Sequence, residues 1–211
     1  VLGSRGLGDV YKRQDFTGFL VQTDYQAKQT GFIQPYADSP MDHEQVGEEV
    51  YISMVNKAEK YCWFMTPYLI ITDEMSHALC LAAKRGVDVR IITPGIPDKK
   101  MIYNITRSFY HGLVKHGVRI YEWTPGFCHA KISVADDCMA TCGTINLDYR
   151  SLYHHFENGC FMADCQAVLD IRNDLAATMD ECREVTEQYS TGRSAYLRLG
   201  QLFMRLFAGL L

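Results

Sequence analysis

The feature that most constrains this chain is a switch of hydrophobic period that recurs between residues 47 and 122. Val50, Met54, Val55 and Ala58 fall on one helical face, and residues 61–66 follow as a short unbroken apolar run ended by Pro67. Met75, Ala78, Leu79 and Ala82 form a second stripe. Thr72 or Asp73 can cap it, and Lys84, Arg85 and Gly86 supply a stop signal. Residues 87–93 are the next strand-like run. A third helix is predicted from about Lys99 to His116, closed by Gly117, with a strand at residues 118–122. Helices alternating with short apolar strands predict crossover connections, hence an α/β domain with a largely parallel sheet core.

Beyond Glu122 the pattern changes. Residues 130–135 and 138–142 read as short strands separated by Asp136 and Asp137, which favour a tight turn. Residues 156–163 read as a further strand, and Val168, Ile171, Leu175, Met179 and Cys182 mark a helix. Residues 186–194 are polar and are predicted to be a loop. With 47% hydrophobic and 22% charged residues in a chain of 211, a disordered protein is excluded and one core is expected. A formal charge of −4 argues against a generally basic nucleic-acid binder. No run of 18 apolar residues is present, so nothing here reads as a membrane span. The eight cysteines form no CxxC pair and no zinc spacing. Most sit in apolar runs and are read as reduced, buried thiols, which suits a reducing compartment.

The two ends differ from the rest. Residue 1 is Val, and residues 1–14 have no apolar period and resemble translated adapter sequence. They are set aside as a non-native or disordered tail. Near the other end Leu199, Leu202, Phe203, Leu206, Phe207 and Leu210 share a face opposite Arg198 and Arg205. Such a helix can dock on the core or lie on a lipid surface.

The reactive residues are densest between Gly126 and Glu157. His129 and Lys131 are two apart, so on a strand both point to one face. Thr144 and Asn146 follow the next strand and can donate hydrogen bonds. An imidazole, a cation and amide or hydroxyl donors in one pocket suit a phosphodiester. The ring nitrogen can attack phosphorus, and Lys131 and Asn146 can hold the non-bridging oxygens as charge builds. No metal or other cofactor is expected, because these groups supply the charge stabilisation. Taken singly, a histidine on a strand is more often structural and a lysine more often a solvated charge.

Taken together, His129-x-Lys131-x₄-Asp136-x₆-Gly143-Thr144-x-Asn146 matches the HKD signature, and the chain resembles the phospholipase D superfamily. From about Gly31 onward it is similar to the C-terminal half of bacterial cardiolipin synthases, through residues 34–40, 66–68, 81–90, 93–100, 143–151 and Arg205-Leu-Phe-Ala. The resemblance implies an α/β sandwich, a mixed β-sheet flanked by helices, as one of two pseudo-twofold halves that share one active site. Residues 15–40 would then be the end of the preceding half and a linker, and 41–211 the phospholipase D-like domain with its terminal amphipathic helix. The implied reaction forms cardiolipin from two phosphatidylglycerol molecules and releases glycerol through a phosphohistidine. Family enzymes usually use the N-terminal histidine as nucleophile, which would make His129 the general acid and base. Glu157 would accept its Nδ1–H and fix the tautomer, Asp136 would orient neighbours within the catalytic set, and Thr66 and Tyr68 would line the pocket mouth.

Only one His-x-Lys pair with HKD spacing occurs in the sequence. The expectation is therefore a truncated chain, inactive alone, whose partners are phosphatidylglycerol, the cytoplasmic face of the cell membrane and a missing N-terminal HKD half, with no nucleic acid. The competing readings are a homodimeric single-motif phosphodiesterase or nuclease, and a non-catalytic lipid-binding fragment.

Overall fold

The computed structural model describes residues 17–19, 24 and 26–190. The tail at 1–14 and the amphipathic stripe at 199–210 lie outside the described residues. In chain order the elements are β1 (Phe32–Asp38), α1 (Val46–Lys57), β2 (Tyr61–Met65), β3 (Leu69–Ile70), α2 (Asp73–Lys84), β4 (Asp88–Pro94), α3 (Lys100–Val114), β5 (Arg119–Trp123), β6 (Ile132–Ala135), β7 (Met139–Gly143), β8 (Leu147–Asp148), α4 (Tyr149–Tyr153), β9 (Glu157–Ala163), α5 (Gln166–Asp180), β10 (Cys182–Glu184) and α6 (Thr186–Ser190).

Eight strands form one mixed sheet in the order β1-β9-β7-β6-β2-β4-β5-β10. Within that sheet only β2–β4 and β4–β5 pair in parallel; β3 and β8 form a separate two-stranded parallel sheet. The parallel core expected from the alternating half is thus confined to three strands, because the later strands connect by a hairpin and by antiparallel returns. In β4, Ile91 faces one side and Ile92 the other, each fully buried, so helices cover both faces. Helices α1, α2 and α3 pack on the Ile91 side with Phe64, Met75, Leu79, Ile105 and Leu113. Helix α5 packs on the other through Val168, Leu175 and Met179. Burying a side chain such as Phe64 contributes about 1.5–3 kcal/mol.

Several sequence expectations change. Residues 32–38, read as linker, are the edge strand β1, which pairs with all of β9 from Phe32↔Ala163 to Asp38↔Glu157. Pro35 in its middle and the lack of apolar alternation hid it. Asp38 also closes the next loop, accepting from Gly47 N at 2.7 Å. Residues 186–190 are helix α6 rather than loop, and its buried Tyr189 packs edge-on against Tyr110. Strand β10 was folded into the preceding helix by the placement of Cys182; its carbonyl and amide groups instead complete the edge at β5. All eight cysteines are free, but only Cys62, Cys80 and Cys128 are buried, and Cys142 is exposed.

The antiparallel pairings set the geography of the site. They bring the ends of β2 and β7 and the starts of β6 and β9 to one edge of the sheet, since Met65 faces Ile132, Ile132 faces Cys142 and Gly143 faces Gly159. That edge also carries the C-terminal ends of the parallel strands, where α/β sheets place their ligands.

Candidate active site

His129 and Lys131 stand on the extended segment that leads into β6, with Cys128 between chain and core as the buried anchor. Their alternation puts both on one side. The Lys131 ammonium lies 3.0 Å from His129 Nδ1 and 3.1 Å from Nε2, and donates to the His129 carbonyl at 2.8 Å. The Phe127 ring stacks on the imidazole with centroids 5.9 Å apart. Partial burial draws the Lys131 pKa down, while the fields of Glu157, Cys128 and Asp148 act the other way. The imidazole itself is exposed. It opens onto a hollow of roughly 540 Å³ walled by Lys131, Cys142, Gly143, Thr144, Asn146 and Glu157.

Gly143 makes the back wall. A Cβ there would lie 2.4 Å from the Asn158 carbonyl oxygen, so only glycine lets β7 run this close to β9. The close approach lets Thr144 N donate to Asn158 O at 2.9 Å and Asn158 N donate to Thr144 Oγ1 at 3.0 Å. Thr144 and Glu157 are thereby neighbours, and the Thr144 hydroxyl donates to the Glu157 carboxylate. Ser151 Oγ donates to the other carboxylate oxygen at 2.7 Å, and His155 Nδ1 lies 3.6 Å away.

Two expected roles therefore change. Glu157 is within the hollow but makes no hydrogen bond to His129 among the described residues; both of its oxygens are held by hydroxyls. Thr144 lines the hollow, yet its proton goes to Glu157 rather than to open space. Asn146 lines the hollow beside them. It hydrogen-bonds Asp148, and its Oδ1 is buried without a partner.

Three other expected residues lie elsewhere. Asp136 is at the opposite end of β6. Its carboxylate accepts from the backbone N–H groups of Glu59, Lys60 and Tyr61 at 2.7, 2.9 and 2.8 Å, which ties the start of β2 to the β6–β7 turn. Three residues of strand, 133–135, separate it from the hollow, so it touches no reacting group. Thr66 is buried. It donates to Tyr68 O at 2.8 Å and accepts from Leu147 N at 3.1 Å, joining the end of β2 to β8. Tyr68 lines an adjoining hollow instead, with its hydroxyl on Asp98 at 2.6 Å.

The residues that sequence reasoning missed cluster at α4. Asp148 caps that helix by accepting from Ser151 N at 2.9 Å, and Ser151 in turn steadies Glu157. Burial raises the Asp148 pKa against several hydrogen bonds that lower it. The Asp-x-x-Ser spacing was a readable cap signal. Nothing in one dimension indicated that the capped serine would meet Glu157.

An imidazole with an ammonium at its ring nitrogens, an amide and a braced carboxylate, all at the carboxyl edge of a two-layer-covered mixed sheet, define a phospholipase D-like domain. The family described as cardiolipin synthase, PLD-like domain, matches residues 51–179, and the chain belongs to that family. A Streptococcus mutans protein described as uncharacterized is 48% identical over 200 residues, covering 95% of this chain and 43% of its own length. Cardiolipin synthase of Halalkalibacterium halodurans is 32% identical over 184 residues, 87% of this chain and 37% of that protein. The chain thus spans about two fifths of the length of these relatives. Among solved structures, phosphatidylserine synthase of Haemophilus influenzae superposes with a TM-score of 0.65 at 16% identity, covering 85% of this chain and 47% of that one. Nuc from Salmonella typhimurium, a phospholipase D family member, gives 0.62 at 16% identity, covering 74% and 98%. At such identity these two likenesses bear on the fold alone.

Proposed function

We propose that this chain supplies one half of the active site of a phosphatidyltransferase that joins two phosphatidylglycerol molecules into cardiolipin and releases glycerol. The observation that carries the reading is the Lys131 ammonium 3.0–3.1 Å from both ring nitrogens of an exposed His129, in a hollow sized for a phosphodiester. In the first step a histidine nitrogen bonds to phosphorus as the bond from phosphorus to the glycerol oxygen breaks. The leaving oxygen takes a proton from the second histidine. In the second step the hydroxyl of another phosphatidylglycerol gives that histidine a proton, its oxygen bonds to phosphorus, and the phosphorus–nitrogen bond breaks. We assign His129 the acid–base role by family analogy, with the nucleophile on a second HKD half. Lys131 and Asn146 hold the non-bridging oxygens, an arrangement that elsewhere accounts for factors of about 10²–10³ per donor. Glu157, braced by Thr144 and Ser151, sets the field at Lys131.

A lipid substrate calls for a membrane surface, and the cytoplasmic face is the setting this proposal assigns. Among the described residues no helix is long and apolar enough to cross a bilayer. A second reading, a homodimeric phosphodiesterase, rests on the single HKD motif in this sequence, whose site a second copy of the chain would complete by symmetry. One assay separates them. A protein carrying this chain together with a second HKD half is given phosphatidylglycerol vesicles or DNA. We expect cardiolipin and glycerol, an acid-labile phosphoryl adduct, and a fall of about 10³-fold or more in transfer for His129→Ala. DNA cleavage by this chain alone, without lipid transfer by the two-half protein, overturns the proposal.

A further inference from the structure

A second hollow adjoins the first, and Asn146 stands on the wall between them. It measures about 240 Å³ and lies between Tyr68, the start of α3 and the β8–α4 turn. That volume is below the usual range for drug-sized ligands, and fits a polar head group rather than acyl chains. Its lining is mixed in charge. Both carboxylates nearby are already occupied: Asp98 accepts from the Tyr68 hydroxyl and from Lys99 N at 2.6 Å each, and Asp148 is taken by the α4 cap. The cations are not. The exposed side chains of Lys99 and Arg150 make no ion pair or hydrogen bond among the described residues, although both border the hollow. His155, on the same wall, reaches back 3.6 Å to Glu157 of the reacting hollow. At the seam, the buried Oδ1 of Asn146 lacks a donor.

Two uncommitted cations, an unfilled amide oxygen and hydrogen-bonded carboxylates together match one kind of molecule: a polyol joined to a phosphodiester. We infer that this hollow is the acceptor subsite, where Arg150 and Lys99 grip the phosphodiester of the incoming alcohol and Asn146 Oδ1 accepts a hydrogen bond from one of its hydroxyls. The inference rests on the transfer reading above and extends it. The attacking hydroxyl then approaches phosphorus from the Asn146 side, the side from which glycerol has left. Water can take the same place but cannot use Arg150 or Lys99, so the subsite favours transfer over hydrolysis.

The test needs only the chain itself. Glycerophosphoglycerol, the deacylated head group, is titrated into the chain labelled at its arginine and histidine side chains and followed by NMR. The Arg150 Nε–H and His155 ring signals are expected to shift on saturation. Arg150→Gln should weaken binding about fivefold and the Arg150→Gln/Lys99→Gln pair about tenfold, the size expected for exposed charge-assisted contacts. Unchanged affinity in the folded double variant, or shifts confined to His129, overturns the subsite. Tungstate, a phosphate mimic, is titrated in parallel and reports on the reacting hollow. If the head group moves Arg150 while tungstate leaves His129 untouched, it is the transfer reading that fails, and the subsite stands as a binding site only.

Discussion

His129 and Asp136 mark the two ends of one four-residue strand, and their side chains do different work. Asp136 holds three backbone N–H groups and adopts a left-handed backbone with φ 52°. Asp136→Ala removes the acceptor and leaves alanine, which lacks the polar side chain that lets Asp tolerate a left-handed backbone, so a loss of about 2 kcal/mol against urea is expected. Asp136→Asn tolerates that backbone and should recover part of it. In the transferring protein, both variants should keep the phosphohistidine chemistry in proportion to the folded fraction. A folded Asp136→Asn protein with full stability and no adduct would contradict this placement. Asp148 gives a pH signature. Burial raises its pKa, so its contribution to stability is fully present below the ordinary carboxylate value of 3.8 and is lost as pH rises through the raised value. Urea midpoints of the wild type should therefore fall relative to Asp148→Asn between pH 3 and 7. A gap that moves the other way excludes burial as the controlling influence.

At the scale of elements, the β7–β9 contact is what turns a sequence motif into a site. Gly143→Ala forces a β-carbon to within 2.4 Å of Asn158 O. It should cost about 1–3 kcal/mol and, by moving Thr144 from Glu157, lower transfer in the surviving folded protein, read as kcat at saturating lipid. A second element-level tie is Glu122, fully buried on β5 between Arg107 at 2.8 Å and Arg183 at 2.5 Å. Arg107→Met leaves that carboxylate with one exposed partner, and a loss of about 3 kcal/mol in urea unfolding is expected. Here the reach of the sequence is also clearest. Helices α1, α2 and α3 and strands β2, β4 and β5 were legible because each has a strong apolar period and a stop signal such as Gly86 or Gly117. His129, Lys131 and Asn146 were legible through spacing. Ser151, His155 and the brace on Glu157 were not, since they meet only when β9 returns beside β7. Strand β1 was hidden because Gln34, Pro35 and Asp38 give it no alternation.

For the molecule as a whole, the domain is expected to begin at β1 rather than after it. A chain starting at residue 26 should melt cooperatively like the full chain. One starting at Ser39 loses seven paired residues and the Asp38 contact to Gly47, and exposes β9 as a new edge. Aggregation or a large drop in melting temperature is expected for the shorter chain, and equal melting curves would return β1 to the status of a linker. The same pairing has a consequence for biosynthesis. Strand β1 leaves the ribosome about 120 residues ahead of β9. At ordinary elongation rates it waits on the order of ten seconds for its mate. Through that interval the backbone N–H and C=O groups of β1 lack their ladder partners, and the catalytic rim, which needs β9, is among the last parts of the domain to take shape.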